Sequence, residues 1–230
     1  MKRMPRPPSP RLNRWHAWRA RLLWRVQSRR HALAKRALDL ALVLPLLLLL
    51  APLLLLLTLA IRLQDGGPAL FWQRRVGRDG REFAFPKFRS MHMDAEARRA
   101  ELLAANQHGP DGVTFKLRHD PRVTPLGRLM RRCSLDELPQ LWCVLRGEMS
   151  LVGPRPPLVS EVRRYSLQDR ERLLAAPGLT CIWQVSGRSE LSFEQQVQMD
   201  LEYLRRPGLL ADLKLLCRTL PAVILGRGAY

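Results

Sequence analysis

The pattern of apolar positions divides the chain at residues 40–61, where 22 residues are interrupted only by Thr58 and two prolines. At about 1.5 Å per residue, a straight helix of this length would cross a hydrocarbon core of about 30 Å. Pro45 and Pro52 each remove one helical hydrogen bond. Basic residues flank both ends of the run, and the positive-inside tendency draws both ends to the same face. The residues alone therefore leave two alternatives equally open: a single span, and a helix–break–helix hairpin that enters and leaves by one face.

The residues before this apolar run are strongly basic. The whole chain has a formal charge of +19, and residues 1–36 hold twelve Lys and Arg and no acidic residue. Trp15 and Trp18 recur at helical spacing among these arginines, which predicts a basic helix lying on an anionic membrane surface. Nucleic-acid binding is the electrostatic alternative, but the neighbouring apolar run favours a membrane. The four cysteines show no metal-ligand spacing, which predicts reduced thiols and no disulfide framework.

The rest of the chain reads as a mostly α-helical domain with a small β-hairpin, an α+β fold class. Residues 69–90 alternate apolar and basic positions around Asp79-Gly80, a strong hairpin signal. We divide the chain into a basic Trp/Arg-rich arm over 1–34, a membrane helix over 35–62 and a compact cytosolic or interfacial catalytic domain over 63–230. Helical patterns are predicted over residues 94–106, 158–175, 191–206 and 209–225, and the last two are amphipathic.

Two adjacent carboxylates, Asp136 and Glu137, stand at the predicted start of a further helix. Pro139 donates no backbone N–H and is tolerated only in a first helical turn, which places Asp136 at or next to the N-cap. Such a terminus is weakly positive, so it favours both an ionised carboxylate and an approaching phosphate. Taken alone, the plainer interpretation of this pair is a helix cap followed by a first-turn acid.

A rigid arginine follows the acidic pair. Pro154 and Pro156 flank Arg155 and restrict the backbone that aims its side chain. A guanidinium held in this way is well suited to bidentate binding of a phosphate. A stiff connector with a solvated arginine is the alternative interpretation of the same residues.

These motifs, in this order, make the chain resemble the bacterial sugar transferases, the monotopic polyprenol-phosphate phosphoglycosyl transferases. The resemblance runs from about Lys35 to Tyr230. Each motif is weak alone, and their combination is specific. They are Lys35-Arg36 with Asp39, residues 73–77, residues 87–91, Asp120-Pro121-Arg122 with Thr124, residues 134–141, residues 149–156, residues 183–188 and residues 228–230.

The resemblance implies a re-entrant membrane helix broken at a Ser-Pro step. Ala51-Pro52 stands at that position, so Pro52 is the expected membrane break. It also implies transfer of a sugar-1-phosphate from a UDP-sugar to polyprenol phosphate with loss of UMP, through a phosphosugar intermediate on Asp136. Glu137 would be a ligand of Mg²⁺. The basic residues expected to bind the substrate phosphates or nucleotide are Lys87, Arg131, Arg155 and Arg75.

The expected acceptor is undecaprenyl phosphate, and the expected process is the initiation of exopolysaccharide or O-antigen assembly. The site is then expected at the cytoplasmic face of the bacterial inner membrane, with membrane lipids and no nucleic acid as partners. Two rival hypotheses are a membrane-anchored Mg²⁺-dependent phosphoesterase with water as acceptor, and a non-enzymatic basic membrane scaffold. Cys143 and Cys181 replace an Asn and a Gly usual in the family, and we expect changes of shape there rather than lost chemistry.

Overall fold

The computed structural model describes residues 14–98, 117, 120–187, 190–206 and 208–225, and the side chains of residues 30–223 within those ranges. These residues form a mostly helical protein with a β-hairpin, as the sequence predicts, and with a second small sheet that was not predicted. In chain order the helices and strands are α1 (Arg14–Asp65), β1 (Leu70–Val76), β2 (Glu82–Phe88), α2 (Pro125–Arg132), α3 (Leu141–Arg146), β3 (Ser150–Val152), α4 (Val159–Val162), β4 (Gly178–Thr180), α5 (Phe193–Arg205) and α6 (Leu209–Leu225).

Helix α1 is the long apolar helix, and by length and composition its segment Arg30–Asp65 could cross a membrane. The helix continues through both Pro45 and Pro52. The break predicted at Pro52 is therefore not observed as an interruption, because one proline removes only one hydrogen bond and its neighbours continue the helix. Re-entry into one face stays a prediction. The side chains of the basic arm before residue 30 lie outside the described residues.

Both ends of the apolar segment of α1 are fixed to the folded body. At its start, the Oδ1 atom of Asp39 accepts hydrogen bonds from β3, and Lys35 pairs with Asp212 of α6 at 2.7 Å. At its end, Asp65 forms a bidentate ion pair with Arg89, which directly follows β2. Between these ends, the leucines on the outer side of α1 are exposed: Leu44, Leu48, Leu49, Leu55, Leu56, Leu59 and Leu63.

The predicted β-hairpin is confirmed. Strands β1 and β2 pair antiparallel from Leu70 opposite Phe88 to Val76 opposite Glu82. Asp79 and Gly80 both have positive φ in the connecting turn, a conformation that Asp and Gly adopt more readily than most residues. One face of the hairpin therefore presents Gln73, Phe85 and Lys87 together, since residues on directly opposite positions share a face.

Strands β3 and β4 form a two-stranded parallel pair, with Ser150 opposite Gly178 and Val152 opposite Thr180. The two backbones also approach closely at Gly178. A Cβ atom on Gly178 would lie only 2.0 Å from the Gly153 nitrogen. Only glycine fits there. The pairing brings the segments that follow both strands, including Arg155, to the same edge.

The core consists of two apolar clusters, and α1 contributes to each. Val43 packs against the hairpin and α3 in the first cluster, whereas Leu57 and Ile61 pack against the hairpin and α2 in the second. The body therefore covers one side of α1 on both sides of its prolines. The buried members of the clusters include Phe83, Phe85, Leu141, Val144, Leu151 and Leu215 in the first, and Ala69, Phe88 and Met130 in the second.

One predicted helix is wrong over most of its length. Within residues 158–175 the structure has only α4 and a 3₁₀ helix at Asp169–Leu174. Ser166 and Asp169 bind each other's backbone N–H groups, which offers the chain a turn in place of a continued helix. Of the helix predicted over 94–106, residues 93–98 form turns and a short 3₁₀ segment, and the remainder lies outside the described residues. The two amphipathic helices are confirmed as α5 and α6.

Candidate active site

The two adjacent acids lie on a 3₁₀ helix, Leu135–Gln140, between α2 and α3. Asp136 is buried and Glu137 is partly exposed. The prediction that Asp136 stands at or next to the N-cap is wrong. The cap is Ser134, two residues earlier, which has a left-handed φ of 54° and makes no side-chain capping hydrogen bond. Pro139 lies inside the 3₁₀ helix, and the α-helix begins only after Gln140. The tighter 3₁₀ winding separates the directions of successive side chains by about 120°, so the two acids point to different surroundings.

Glu137 is held by two cations. Arg155 donates from Nη2 to Oε1 at 2.5 Å and from Nη1 to Oε2 at 3.2 Å, and Lys87 Nζ lies 3.0 Å from Oε1. Burial alone would raise the pKa of Glu137, but the charges and hydrogen bonds of Arg155 and Lys87 outweigh it and hold that pKa well below its ordinary value. Glu137 is therefore ionised at neutral pH, with both oxygens engaged.

Asp136 has the opposite environment. Within the described part of the chain, no donor hydrogen-bonds its carboxylate. Burial raises the pKa of Asp136, and the positive charges of Lys87, Arg131 and Arg155 act against that rise without reversing it. A buried carboxylate that no protein donor binds is a stronger nucleophile than one held by such donors, because no protein hydrogen bond has to break before it attacks.

The hairpin supplies two of the predicted basic residues. The Nζ of Lys87 lies 5.6 Å from the ring centroid of Phe85, and the guanidinium carbon of Arg75 lies 5.2 Å from the same centroid. Arg75 donates to the Gln73 side chain and, at 3.0 Å, to the carbonyl of Pro156. Burial lowers the pKa of Arg75 to about 10. Arg75 thus fixes the loop that carries Arg155 and adds positive charge beside it.

Arg131 reaches the site from the last turn of α2. Its Nε donates to the Ser90 hydroxyl at 2.9 Å. The negative charges that most raise the pKa of Arg131 are those of Asp136 and Asp120. Burial lowers the pKa of Arg131. The structure therefore brings Lys87, Arg155 and Glu137 into direct contact, and it places Arg131 and Arg75 around them without an ion pair to either acid.

Sequence reasoning missed a second buried charge cluster near the site. Arg172 pairs with Asp200 of α5 and donates to the Tyr165 hydroxyl at 3.1 Å. The signal was hidden because Arg172 falls in a charged stretch that resembles a solvated helix face, and its partner lies 28 residues away. A small cavity adjoins this cluster and is lined by Arg172, Arg155 and four prolines, but not by the two acids.

The two cysteines that depart from the family pattern are both buried. Cys143 lies 1% exposed on α3, with its Sγ 3.5 Å from the Ala84 carbonyl. Cys181 follows β4, and its thiol donates to the Gln184 side chain at 3.1 Å. Burial raises the pKa of both thiols, so neither is a ready nucleophile. All four cysteines of the chain are free thiols.

The donor set of the site limits how it could hold a metal ion. Within the described residues, no group of three or more His, Cys, Asp and Glu side chains is placed to bind one. Mg²⁺ commonly takes one or two carboxylates and completes its shell with phosphate oxygens and water. Arg155 and Lys87 already bind the carboxylate oxygens of Glu137. Asp136 and Glu137 therefore fit that pattern only when a phosphate supplies further oxygen ligands.

Comparison with known proteins places these residues in a family context. The sequence model described as "Bacterial sugar transferase" matches residues 30–226. That range contains both acids and all four predicted basic residues. It begins within α1, before the apolar run, and extends to one residue beyond the last residue of α6.

Individual relatives match nearly the same range. Galactosyl transferase CpsE of Streptococcus agalactiae is 46% identical over 200 residues, covering 86% of this chain and 44% of the relative. Exopolysaccharide production protein ExoY of Rhizobium meliloti is 41% identical over 203 residues, with 86% and 88% covered. The UDP-glucose:undecaprenyl-phosphate glucose-1-phosphate transferase of Caulobacter vibrioides is 42% identical over 213 residues, with 86% and 72% covered. The chain thus spans less than half the length of some relatives and most of the length of others.

Proposed function

The chain belongs to the bacterial sugar transferase family, and we propose that it transfers a sugar-1-phosphate from a UDP-sugar to undecaprenyl phosphate with release of UMP. The product would begin the assembly of an exopolysaccharide or O-antigen glycan. The names of the relatives support this proposal, since one names both a UDP-sugar and undecaprenyl phosphate and another names exopolysaccharide production.

The observation that carries the proposal is the contrast between the two neighbouring acids. Asp136 is buried and has no hydrogen-bond donor within the described residues, whereas its neighbour Glu137 is fixed by Arg155 and Lys87. A simple charge-stabilising pair would engage both acids. One engaged and one free carboxylate suit a division of labour, in which the free one forms a bond and the other organises charge.

In the proposed first step, a carboxylate oxygen of Asp136 attacks the sugar-side phosphorus of the donor. The bond from that phosphorus to the bridging oxygen breaks, and UMP leaves with that oxygen and its electron pair. An acyl phosphate now joins Asp136 to the sugar. In the second step, a phosphate oxygen of undecaprenyl phosphate attacks the same phosphorus, and Asp136 leaves as a carboxylate. Each step is a single displacement, and the enzyme returns to its starting state.

Lys87, Arg155, Arg131 and Arg75 provide four positive charges against the two acids. This surplus favours a diphosphate, and Arg155 offers the planar fork that binds phosphate oxygens in pairs. Because Arg155 and Lys87 already bind Glu137, a diphosphate that recruits them would release Glu137. The released carboxylate could then ligate Mg²⁺, which would neutralise charge on the phosphates. Glu137 is thus proposed as a ligand that becomes available when the donor binds.

The placement at the membrane is part of the proposal. The folded body contacts α1 both before Pro45 and after Pro52, so a straight passage of the whole segment through a bilayer would carry part of the body into lipid. A hairpin dipping into one leaflet avoids this, and the exposed leucines of α1 would then face acyl chains. We place the site at the cytoplasmic face of the inner membrane, with α6 at the interface through exposed Leu210, Leu213 and Leu220.

The proposed reaction is tested by incubating the membrane-embedded protein with undecaprenyl phosphate, Mg²⁺ and UDP-sugars labelled in the sugar-side phosphate. UDP-glucose and UDP-galactose are the first donors to test, because the relatives are named for these sugars. We expect UMP release and label in the lipid. Label found in free phosphate would support the phosphoesterase instead. Absence of UMP release with every donor, in folded protein, would contradict the proposal.

A further inference from the structure

Asp39 directly precedes the apolar run of α1, and its side chain is buried at a position of the helix where an apolar residue would be expected. It is 4% exposed on α1. Its Oδ1 atom accepts two hydrogen bonds, from the Ser150 hydroxyl and from the Leu151 backbone N–H, each at 3.0 Å. A carboxylate is costly to bury and is retained only where its hydrogen bonds repay the desolvation. The position therefore serves a contact with β3 that a leucine could not make.

Strand β3 leads directly to Arg155 through a short and stiff connection. Gly153 N–H donates to the Thr180 carbonyl at 3.0 Å, and Gly178 N–H donates to the Pro154 carbonyl at 2.9 Å. Pro154 restricts the backbone immediately before Arg155. The position of β3 therefore fixes the backbone at Arg155, because Pro154 leaves no flexible residue between the strand and Arg155.

The same turn of α1 also holds the segment that follows the two acids. Arg36 donates through both terminal nitrogens to the carbonyls of Val144 and Leu145, at the C-terminal end of α3. Both residues lie in the last turn of α3, where a cation is favoured by the helix dipole. The Val144 carbonyl also accepts from the Gly147 N–H at 3.0 Å. Because α3 continues the 3₁₀ helix that carries Glu137, Arg36 fixes that side of the site as Asp39 fixes the other.

We propose that Asp39 and Arg36 are positioning residues, which set Arg155 against Glu137 by binding β3 and α3 to one turn of the membrane helix. The contact they set is the one between the Arg155 guanidinium and both oxygens of Glu137, at 2.5 and 3.2 Å. The geometry of the site therefore depends on the hydrogen bonds that join this turn of α1 to β3 and to α3. The inference rests on the proposed function only for its activity measurement.

The test compares Asp39→Ala with Asp39→Asn in the full chain in membranes or nanodiscs. Asn keeps an Oδ1 acceptor for both hydrogen bonds, so we expect its kcat to remain within about threefold of the parent. Ala loses the acceptor, and we expect kcat to fall by about 10²-fold with a smaller change in donor KM, because a displacement of about 1 Å at a reacting centre has such an effect.

Lys35→Met is the matched control. Lys35 belongs to the same turn of α1 and pairs with Asp212 of α6, so its loss weakens the seating of α1 without removing a bond to β3 or α3. We expect Lys35→Met to lower thermal stability and to leave kcat per folded molecule unchanged. Arg36→Met should lower kcat as Asp39→Ala does.

Hydrogen exchange gives a measurement that does not need the proposed reaction. We expect faster exchange over residues 150–157 in Asp39→Ala than in Lys35→Met or Asp39→Asn. An unchanged kcat and unchanged exchange in Asp39→Ala would overturn the inference, and so would equal damage in the Ala and Asn variants. A parent protein without transferase activity but with the expected exchange pattern would contradict the proposed function alone.

Discussion

Two of the guanidinium–carboxylate clusters in the described part of the molecule differ in what surrounds them. Arg155 and Glu137 have side chains 22% and 17% exposed, and Lys87 completes their cluster. Arg172 and Asp200 are 5% and 1% exposed, and Tyr165 completes theirs. Both arginines line one cavity, so the clusters are neighbours. The first, the open cluster, has a surplus of positive charge and lies beside Asp136, whose carboxylate accepts no hydrogen bond from the described residues. The second, the sealed cluster, is an ion pair of balanced charge.

This difference separates an exchangeable site from a structural one. A sealed ion pair cannot trade its partner for a ligand without exposing a buried charge, so its role is to fix α5 against the 3₁₀ helix at Asp169–Leu174. A partly exposed pair with extra cations can release its carboxylate to water or metal while the cations bind an anion. Variants of the two clusters should therefore affect different measured quantities.

The largest effect on turnover is expected from substitution of Asp136, the acid beside the open cluster. Asp136→Asn should lower turnover by at least about 10³-fold, because the proposed covalent bond can no longer form. Its melting temperature should be unchanged or slightly raised, since a neutral amide relieves the burial of an unbonded charge. Mass measurement of the protein with UDP-sugar and no lipid acceptor should show a phosphosugar adduct in the parent and none in the variant.

Glu137→Gln is the control for that experiment. It keeps Asp136, so the adduct should still form, with turnover lowered by about 10²-fold through lost charge organisation. An adduct that persists on Asp136→Asn protein, or turnover that survives the substitution, would contradict the division of labour between the two acids.

The sealed cluster should show its effect in stability. Asp200→Asn leaves the Arg172 charge buried without its counter-charge and should lower the free energy of unfolding by about 3–5 kcal/mol. At about 2–4 °C per kcal/mol for a chain of this size, the melting temperature should fall by roughly 6–20 °C. The double variant Arg172→Met with Asp200→Leu should recover much of this loss, because no charge remains buried. Turnover per folded molecule that collapses in the double variant would show that the cluster is not merely structural.

The sequence predicted the open cluster better than the sealed one, for a physical reason. The residues of the open cluster lie close together in the sequence and within motifs that contain prolines, so local patterns and the family resemblance reveal them. They are Asp136, Glu137 and Arg155, within a stretch of 20 residues. Arg172 and Asp200 carry no local signal, because only tertiary packing distinguishes a buried arginine from one on a solvated helix face. The hairpin was predictable from Asp79-Gly80 and its alternation.

Other features needed three-dimensional information. The N-cap was misplaced because the pattern around Pro139 fits an α-helix start as well as a 3₁₀ helix, and the left-handed Ser134 is not signalled by its residue type. The division of 158–175 depends on the reciprocal bonds of Ser166 and Asp169. Asp39 was visible as part of a motif, but its contact with β3 joins residues 111 and 112 positions apart.

A third prediction concerns metal binding to the open cluster. The parent protein should bind Mn²⁺, as a probe for Mg²⁺, about tenfold more tightly with UDP present than without it, because the diphosphate draws Arg155 and Lys87 away from Glu137. Arg155→Met should bind Mn²⁺ more tightly than the parent in the absence of UDP, although it loses activity. Electron paramagnetic resonance of free Mn²⁺ measures both. Arg128→Met, on the exposed side of α2, is the matched control and should bind as the parent does. Equal or weaker binding by Arg155→Met would show that Glu137 is not withheld from the metal.

The smallest effect is expected in the pH dependence of turnover. Asp136 must be ionised to attack, and burial raises its pKa, so kcat/KM should fall as the pH drops through that raised value. The pKa of Glu137 lies well below the ordinary value, so Glu137 stays negative over this range and itself raises the pKa of Asp136. Glu137→Gln should therefore move the acid limb to lower pH. Lys87→Met removes the positive charge that most lowers the pKa of Asp136 and should move the limb to higher pH. Limbs that shift in the same direction in both variants would assign the titration to a group other than Asp136.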